Sequence, residues 1–267
     1  MKNLRIVIPA YNEEKAIGSV IDRARTVCPE AELLVVDDGS TDGTSEICRA
    51  MAVEVVRHAS NYGYGKALKT GFKYSSGRQM KYFAFLDSDN TYPPEMIPLM
   101  FDVCEKGDYD LVVGSRFLGN KSSMPFIRMI GNRMFALVTS IYTGHRVTDV
   151  GSGLRVIRDS LLHEIENLPD GLNFTPAMTM KVLHLGRKYK EVPIEYSERI
   201  GRSKLKLAND GYDFLKIILS STRSHRPFAI FATVSLPLLI IGTSLGIYGI
   251  IRWIEGSVFV PSFILTT

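Results

Sequence analysis

Histidine, cysteine and tryptophan are scarce in this 267-residue chain, at five, three and one. Cys28, Cys48 and Cys104 are odd in number and widely separated, which excludes a disulfide framework and any zinc-type spacing. They are expected to be reduced core residues of a cytoplasmic domain. The histidines are scattered and form neither a metal-ligand cluster nor a catalytic triad pattern. No G-x-x-x-x-G-K-[ST] segment occurs, which argues against ATP hydrolysis, and no G-x-G-x-x-G, which argues against a dinucleotide fold. There is no internal repeat and no low-complexity run. A signal peptide is not expected, because Asn12, Glu13 and Glu14 follow Leu4 too soon.

Charge is missing from one long stretch. Between Pro227 and Ile251 no residue is charged, and as a helix that run measures about 37 Å, enough for a tilted membrane span. Just before it, Arg199 to Arg226 contains seven Lys/Arg against two Asp, a net +5 in a chain whose total is +4. The basic flank places the preceding domain on the cytoplasmic side of a cell membrane and suits anionic headgroups or a lipid phosphate better than nucleic acid. Residues 252–267 form a tail; its apolar part, from Val258, is too short to span and is read as the start of a second membrane helix or a surface-lying end.

Short apolar runs alternate with helical patterns. Strands are expected near residues 4–9, 32–36, 53–57, 82–86, 110–113, 153–157 and 189–194. Helices are expected over 13–27, 42–51, 64–75, 93–105, 125–142, 159–166 and 175–185, with Asn12 and Thr41 as N-caps and Pro93-Pro94 at a helix start. The alternation implies an α/β class with a mainly parallel sheet. The expected organisation is an α/β domain over 1–204, an amphipathic basic segment over 205–226 lying along the membrane surface, a transmembrane helix over 227–251, and the tail.

The candidate chemistry sits where strands end. Phe83-Ala-Phe-Leu runs into Asp87-Ser88-Asp89, and two carboxylates at the carboxyl end of a buried strand are suited to Mg²⁺ or Mn²⁺ and, through it, a diphosphate. Leu33-Leu-Val-Val36 likewise runs into Asp37-Asp38-Gly39-Ser40, more acid than helix capping needs, so at least one is assigned to ribose or base. The run Asn61-Tyr-Gly63-Tyr-Gly65-Lys66 reads equally as a phosphate-cradling loop or a plain packing turn. Arg116, Arg133, Arg199, Arg202 and Lys204 are the cationic candidates for phosphate. Asp149, on a Gly-rich approach to a strand, reads equally as an acceptor-orienting base or a turn acid.

Taken together, Pro9-Ala-Tyr11-Asn-Glu13, Val36-Asp37-Asp38-Gly-Ser, Asp87-Ser-Asp89, Gly114-Ser-Arg116 and the basic run Arg199–Lys204 resemble family 2 glycosyltransferases of the GT-A fold. More closely they resemble the polyprenyl-phosphate group that contains dolichyl-phosphate mannose synthase. The resemblance implies that Pro9, Tyr11, Glu13, Val36 and Asp37 or Asp38 contact the nucleoside, and that Asp87, Ser88 and Asp89 position metal and diphosphate. Arg116, Arg199 and Lys204 would meet sugar-diphosphate or lipid phosphate, and Arg133 and Arg202 are further candidates for the lipid phosphate. A lipid phosphate is already anionic, so transfer to it needs no general base; the family implies inversion at the anomeric carbon. Mannose synthases carry a metal-holding Gln two residues past the second acid, where this chain has Thr91, so UDP-glucose or UDP-N-acetylglucosamine is favoured over GDP-mannose. Processive polysaccharide synthases use a Gln-x-x-Arg-Trp segment, and Gln79 is the sole Gln here. A membrane-anchored nucleotide-binding module without turnover is the non-enzymatic alternative. A homo-oligomer is compatible with the sequence.

Overall fold

The computed structural model describes residues 1–75, 77–119, 124–199 and 227–254. Two compact units are present, Met1–Ile218 and Leu219–Thr267. In the first, seven strands form one sheet: β1 (Leu4–Ala10), β2 (Glu32–Asp37), β3 (Glu54–Arg57), β4 (Tyr82–Phe85), β5 (Leu111–Ser115), β6 (Arg155–Arg158) and β7 (Tyr189–Pro193). Their order is β3-β2-β1-β4-β6-β5-β7. All seven expected strands form, and the sheet is parallel except at β6, which runs antiparallel to both neighbours. That reversal matters for the site. It carries the approach to β6, residues 149–153, to the edge where the parallel strands β1, β2, β4 and β5 end.

Both faces of the sheet are covered, as alternation along β1 requires. Leu4, Ile6 and Ile8 join one core with α1 (Ile17–Val27), α2 (Thr44–Ala50) and α4 (Ile97–Lys106). Val7 joins the other, with α3 (Tyr64–Tyr74), α6 (Leu162–Ile165) and α7 (Phe174–His184). The three cysteines are buried and free, as expected. The helix α5 (Phe126–Thr143) lies between β5 and β6 in sequence.

Neither expected N-cap survives. Glu13 O accepts from both Ala16 and Ile17 N–H, so residues 13–16 are a turn and α1 begins at Ile17. Asn12, at φ 52°, instead accepts from Thr41 N–H at 2.8 Å, tying the loop after β1 to the loop after β2. Asp42, not Thr41, meets the start of α2, accepting from Thr44 N–H at 3.1 Å. Pro93-Pro94 does open a helical segment, the 3₁₀ turn Pro94–Met96 ahead of α4.

In the second unit, α8 runs from Pro227 to Ile254, three residues past the expected end of the membrane span. Among the described residues no helix is long and apolar enough to cross a membrane. The transmembrane helix expected over 227–251 therefore does not follow from the described structure. The amphipathic segment expected over 205–226 and the tail beyond Ile254 lie outside the described residues.

Candidate active site

At the end of β4, Leu86 is the last core residue and the chain turns outward through Asp87-Ser88-Asp89. Tyr64, the first residue of α3, donates its hydroxyl to Asp87 Oδ1 at 2.8 Å. Gly153 packs against the same carboxylate, and a β-carbon there would overlap it. Burial, and then the neighbouring Asp89 charge, push the Asp87 carboxyl up to about 7, against the lowering effect of Tyr64, Arg116 and Arg199. Asp89 is buried too. Its Oδ1 accepts from Thr91 N–H (3.1 Å) and Thr91 Oγ1 (2.6 Å), a local turn that aims Oδ2 at Arg199 Nη1, 3.1 Å away.

Arg199 joins two parts of the cleft that are far apart in sequence. Its second terminal nitrogen bonds Glu13 Oε1, whose backbone N–H is held by Thr44 Oγ1 at 2.8 Å. Its Nε is buried without a hydrogen-bond partner among the described residues. Glu13, Asp89 and Arg199 thus come together. Arg202 and Lys204 lie outside the described residues.

The next group is a buried ion pair. Arg116 Nε and Nη2 bond the two oxygens of Asp149 at 2.7 and 2.8 Å, and Arg116 N–H adds a third bond at 3.1 Å. The guanidinium sits 5.2 Å from the centre of the Tyr196 ring and 5.9 Å from that of Tyr92. Burial works against its charge, but Asp149 prevails and its pKa stands well above the ordinary arginine value. Asp149 is fully buried with both oxygens engaged, so it positions Arg116 instead of facing the cleft as a base. Glu191 accepts from Asp149 N–H at 3.0 Å. Arg155, also fully buried, donates to Val150 O, Ser152 O and Thr179 Oγ1 and thereby shapes the approach to β6.

The acids after β2 have other partners. Asp37 accepts from Ser40 N–H at 2.9 Å and from Ser45 Oγ, and Arg57 Nε lies 3.4 Å away. Asp38 takes His58 Nδ1 (2.6 Å), Tyr62 N–H (3.0 Å) and Gly63 N–H (2.8 Å). Gly39 turns between them at φ 76°, where a β-carbon would sit 2.5 Å from Ser60 backbone. Asp38 occupies the Tyr62 and Gly63 amides and Asp170 O occupies Lys66 N–H at 3.0 Å, so these three amides of the run 61–66 are engaged in packing the turn. Its contribution to the site is the Tyr64 hydroxyl. Lys66 is exposed at the start of α3; Pro9 and Val36 are buried at the ends of β1 and β2, with Tyr11 half-buried beside them. Ser88 is buried between the two acids.

Arg133, on α5, stacks 5.7 Å from the centre of the Phe117 ring. It lines an open cavity of about 690 Å³ with Phe117, Leu137, Ser140, Arg146 and Thr148. Sequence reasoning missed Tyr64, Tyr92, Tyr196, Glu191 and Arg155, which reach the site only through the packing of distant elements.

Among the described residues no group of three or more His, Cys, Asp or Glu could hold a metal ion. The fit is instead to a hard cation of the kind that takes one or two carboxylates and fills its shell with substrate phosphate and water. Asp87 and Asp89, two buried carboxylates one residue apart beyond β4, offer donors of that kind.

Similar proteins share this fold and sequence pattern. A dolichyl-phosphate hexose transferase of Haloferax volcanii is 36% identical over 204 residues, 76% of this chain and 86% of that protein. A polyprenol monophosphomannose synthase of Mycolicibacterium smegmatis is 30% identical over 216 residues, 76% of this chain and 81% of that protein. Among solved structures, glucosyl-3-phosphoglycerate synthase of Mycobacterium tuberculosis, in complex with Mn²⁺, UDP and phosphoglyceric acid, superposes with a TM-score of 0.66 at 25% identity, covering 82% of this chain and 78% of that one. Residues 5–166, which carry β1 to β6 and both acidic strand ends, match the family described as Glycosyl transferase family 2, and the chain belongs to that family and is a glycosyltransferase.

Proposed function

We propose that this enzyme transfers a sugar from a nucleoside diphosphate to a polyprenyl phosphate at a membrane surface, with inversion at the anomeric carbon. The observation that carries this reading is the engagement of Asp149. The acid best placed by sequence to serve as a base is buried in a bidentate bond with Arg116, so the site suits an acceptor that is already ionised. The chain's own residues would orient and compensate charge. Glu13, Tyr11 and the β1 and β2 ends line the nucleoside side, and Arg116 and Arg199 face phosphate. Asp87 and Asp89 would hold Mg²⁺ or Mn²⁺, which when bound neutralises the departing diphosphate. The metal and UDP bound by the Mycobacterium tuberculosis enzyme support that assignment.

A UDP-hexose donor, UDP-glucose or UDP-N-acetylglucosamine, is preferred to GDP-mannose. Thr91 turns its hydroxyl to Asp89 and offers no longer side chain toward a cation. The mannose synthase relative supports GDP-mannose as the second reading. Membrane anchoring rests on the uncharged run 227–251, its helical form in α8 and the exposure of Leu238, Leu239, Ile240, Ile241 and Leu245. The basic flank favours a cytoplasmic catalytic unit.

The test is transfer of radiolabel from UDP-glucose, UDP-N-acetylglucosamine and GDP-mannose to dolichyl and undecaprenyl phosphate, with Mg²⁺, Mn²⁺ or EDTA, beside Asp89→Asn. Metal- and Asp89-dependent labelled lipid from one donor is expected. Nucleotide binding without labelled lipid from any donor would overturn the lipid acceptor.

A further inference from the structure

Glu191 is the hub of a hydrogen-bond network that converges on Arg116. It is partly buried on β7. Its Oε1 accepts from Thr148 N–H (2.9 Å), Asp149 N–H (3.0 Å) and the Tyr189 hydroxyl (2.7 Å), and its Oε2 from Thr148 Oγ1 (2.6 Å). Capping a turn needs one such bond; a carboxylate that takes four is committed to holding the segment it faces. The register explains its placement. Val113 of β5 pairs with Glu191 on one side and with Arg155 on the other, so the two charged side chains share a face of the sheet, about 10 Å apart across β5.

Residues 148–152 run between these two charges. The N–H groups of Thr148 and Asp149 end on the Glu191 carboxylate, while the carbonyls of Val150 and Ser152 accept from the Arg155 guanidinium at 2.6 and 2.9 Å. Asp149, inside this segment, grips the Arg116 side chain with both oxygens. A second branch reaches Arg116 through its chain neighbours. Thr148 Oγ1 gives its proton to Glu191 and so accepts from Ser115 Oγ at 2.7 Å, and Ser115 Oγ accepts in turn from Phe117 N–H at 3.3 Å. One carboxylate therefore fixes both the acid that binds the guanidinium and the backbone that carries it.

We propose that Glu191 is a positioning residue for Arg116, acting through Asp149 and Thr148 to set the direction in which the guanidinium meets substrate phosphate. An arginine fork that binds phosphate through two bonds tolerates little misplacement, and a shift of the segment 148–149 would carry the guanidinium with it. The proposal deepens the phosphate-facing role of Arg116 and rests on that reading for its effect on binding. The hold on the Arg116 side chain is measurable without any ligand.

The test uses the full chain in detergent, labelled with ¹⁵N at arginine, as wild type, Glu191→Ala and Glu191→Gln. The Arg116 Nε–H signal is assigned by its loss in Arg116→Met. In Glu191→Ala its exchange with water should quicken about tenfold, and Glu191→Gln, which keeps one accepting oxygen, should recover part of the protection. Arg155 Nε–H, bonded to Ser152 O at the far end of the segment, should keep its protection. Unchanged exchange at Arg116, or equal quickening at Arg116 and Arg155, would overturn the proposal. Calorimetry with Mn²⁺–UDP and with farnesyl phosphate reads the consequence. Whichever probe Arg116→Met weakens should be weakened about fivefold by Glu191→Ala, and no further when both changes are combined. Equal factors in the two backgrounds would show that Glu191 acts without Arg116 and would also overturn it. If Arg116→Met weakens neither probe, the phosphate-facing reading falls, and the exchange result still decides the positioning role.

Discussion

Arg199 Nη1 lies 3.1 Å from Asp89 Oδ2, so the acid assigned to a divalent cation is already paired with an organic one. The same guanidinium holds Glu13, on the nucleoside side of the cleft. Bound metal would take Asp89 and release Arg199 toward an incoming phosphate. Arg199→Ala is expected to tighten Mn²⁺ binding to the nucleotide-free protein several-fold and to weaken binding of the nucleotide sugar about tenfold, the loss of one charge-assisted contact. Titration of free Mn²⁺ by electron paramagnetic resonance reads the first effect and calorimetry the second. Weaker Mn²⁺ binding in the variant would refute the competition.

Asp149 and Arg116 should behave as a buried pair. Asp149→Ala leaves the guanidinium uncompensated and is expected to cost about 3–5 kcal/mol. Adding Arg116→Met should recover part of that loss, although the double variant would be inactive. Chemical denaturation of the two variants and the wild type gives the comparison. Additive losses would mean that the pair is not coupled.

Asp87 links stability to pH with a definite sign. Its folded pKa, about 7, is raised above the ordinary carboxylate value, so the folded state holds a proton that the unfolded chain has released. Its contribution is complete below about pH 4 and is lost as pH rises through the folded value near 7. In metal-free protein, Asp87→Asn should therefore gain stability relative to wild type between pH 5 and 8 (on the order of a few kcal/mol). A difference that is flat with pH would show that Asp87 titrates normally. Mn²⁺ binding at pH 6 should release close to one proton, measurable as a buffer-dependent binding enthalpy.

Tyr64 and Gly153 both contact the Asp87 carboxylate. Tyr64→Phe removes one buried hydrogen bond and is expected to cost about 1 kcal/mol of stability, with a larger proportional loss in metal affinity. Gly153→Ala forces the carboxylate to move, because no β-carbon fits beside it, and should abolish metal binding while the circular dichroism spectrum remains folded. Retained metal binding in Gly153→Ala would place the cation elsewhere.

Among the described residues of the catalytic unit, all seven strands and all seven helices were legible because period-2 and period-3.6 patterns survive where one face packs on a core. Helix starts were less legible. Asn12 and Thr41 have the chemistry of caps, but each found a partner in the other's loop. The paired acids Asp87 and Asp89 were readable from their place after a buried run. Tyr64 was hidden in a turn whose glycines suggested phosphate binding, and no local signal connects it to Asp87.

Residue order alone settled the α/β class, the acidic strand ends and the uncharged C-terminal run, since each depends on neighbours in sequence. Tertiary structure decided which acids are committed. Asp38, Asp89 and Asp149 look equally available as sequence, yet packing brings His58 to Asp38, Arg199 to Asp89 and Arg116 to Asp149. The antiparallel insertion of β6 between β4 and β5 is the reason: it delivers residues 149–153 to the same edge as the parallel strand ends. No reading of local pattern reports that, because strand order follows from long-range pairing.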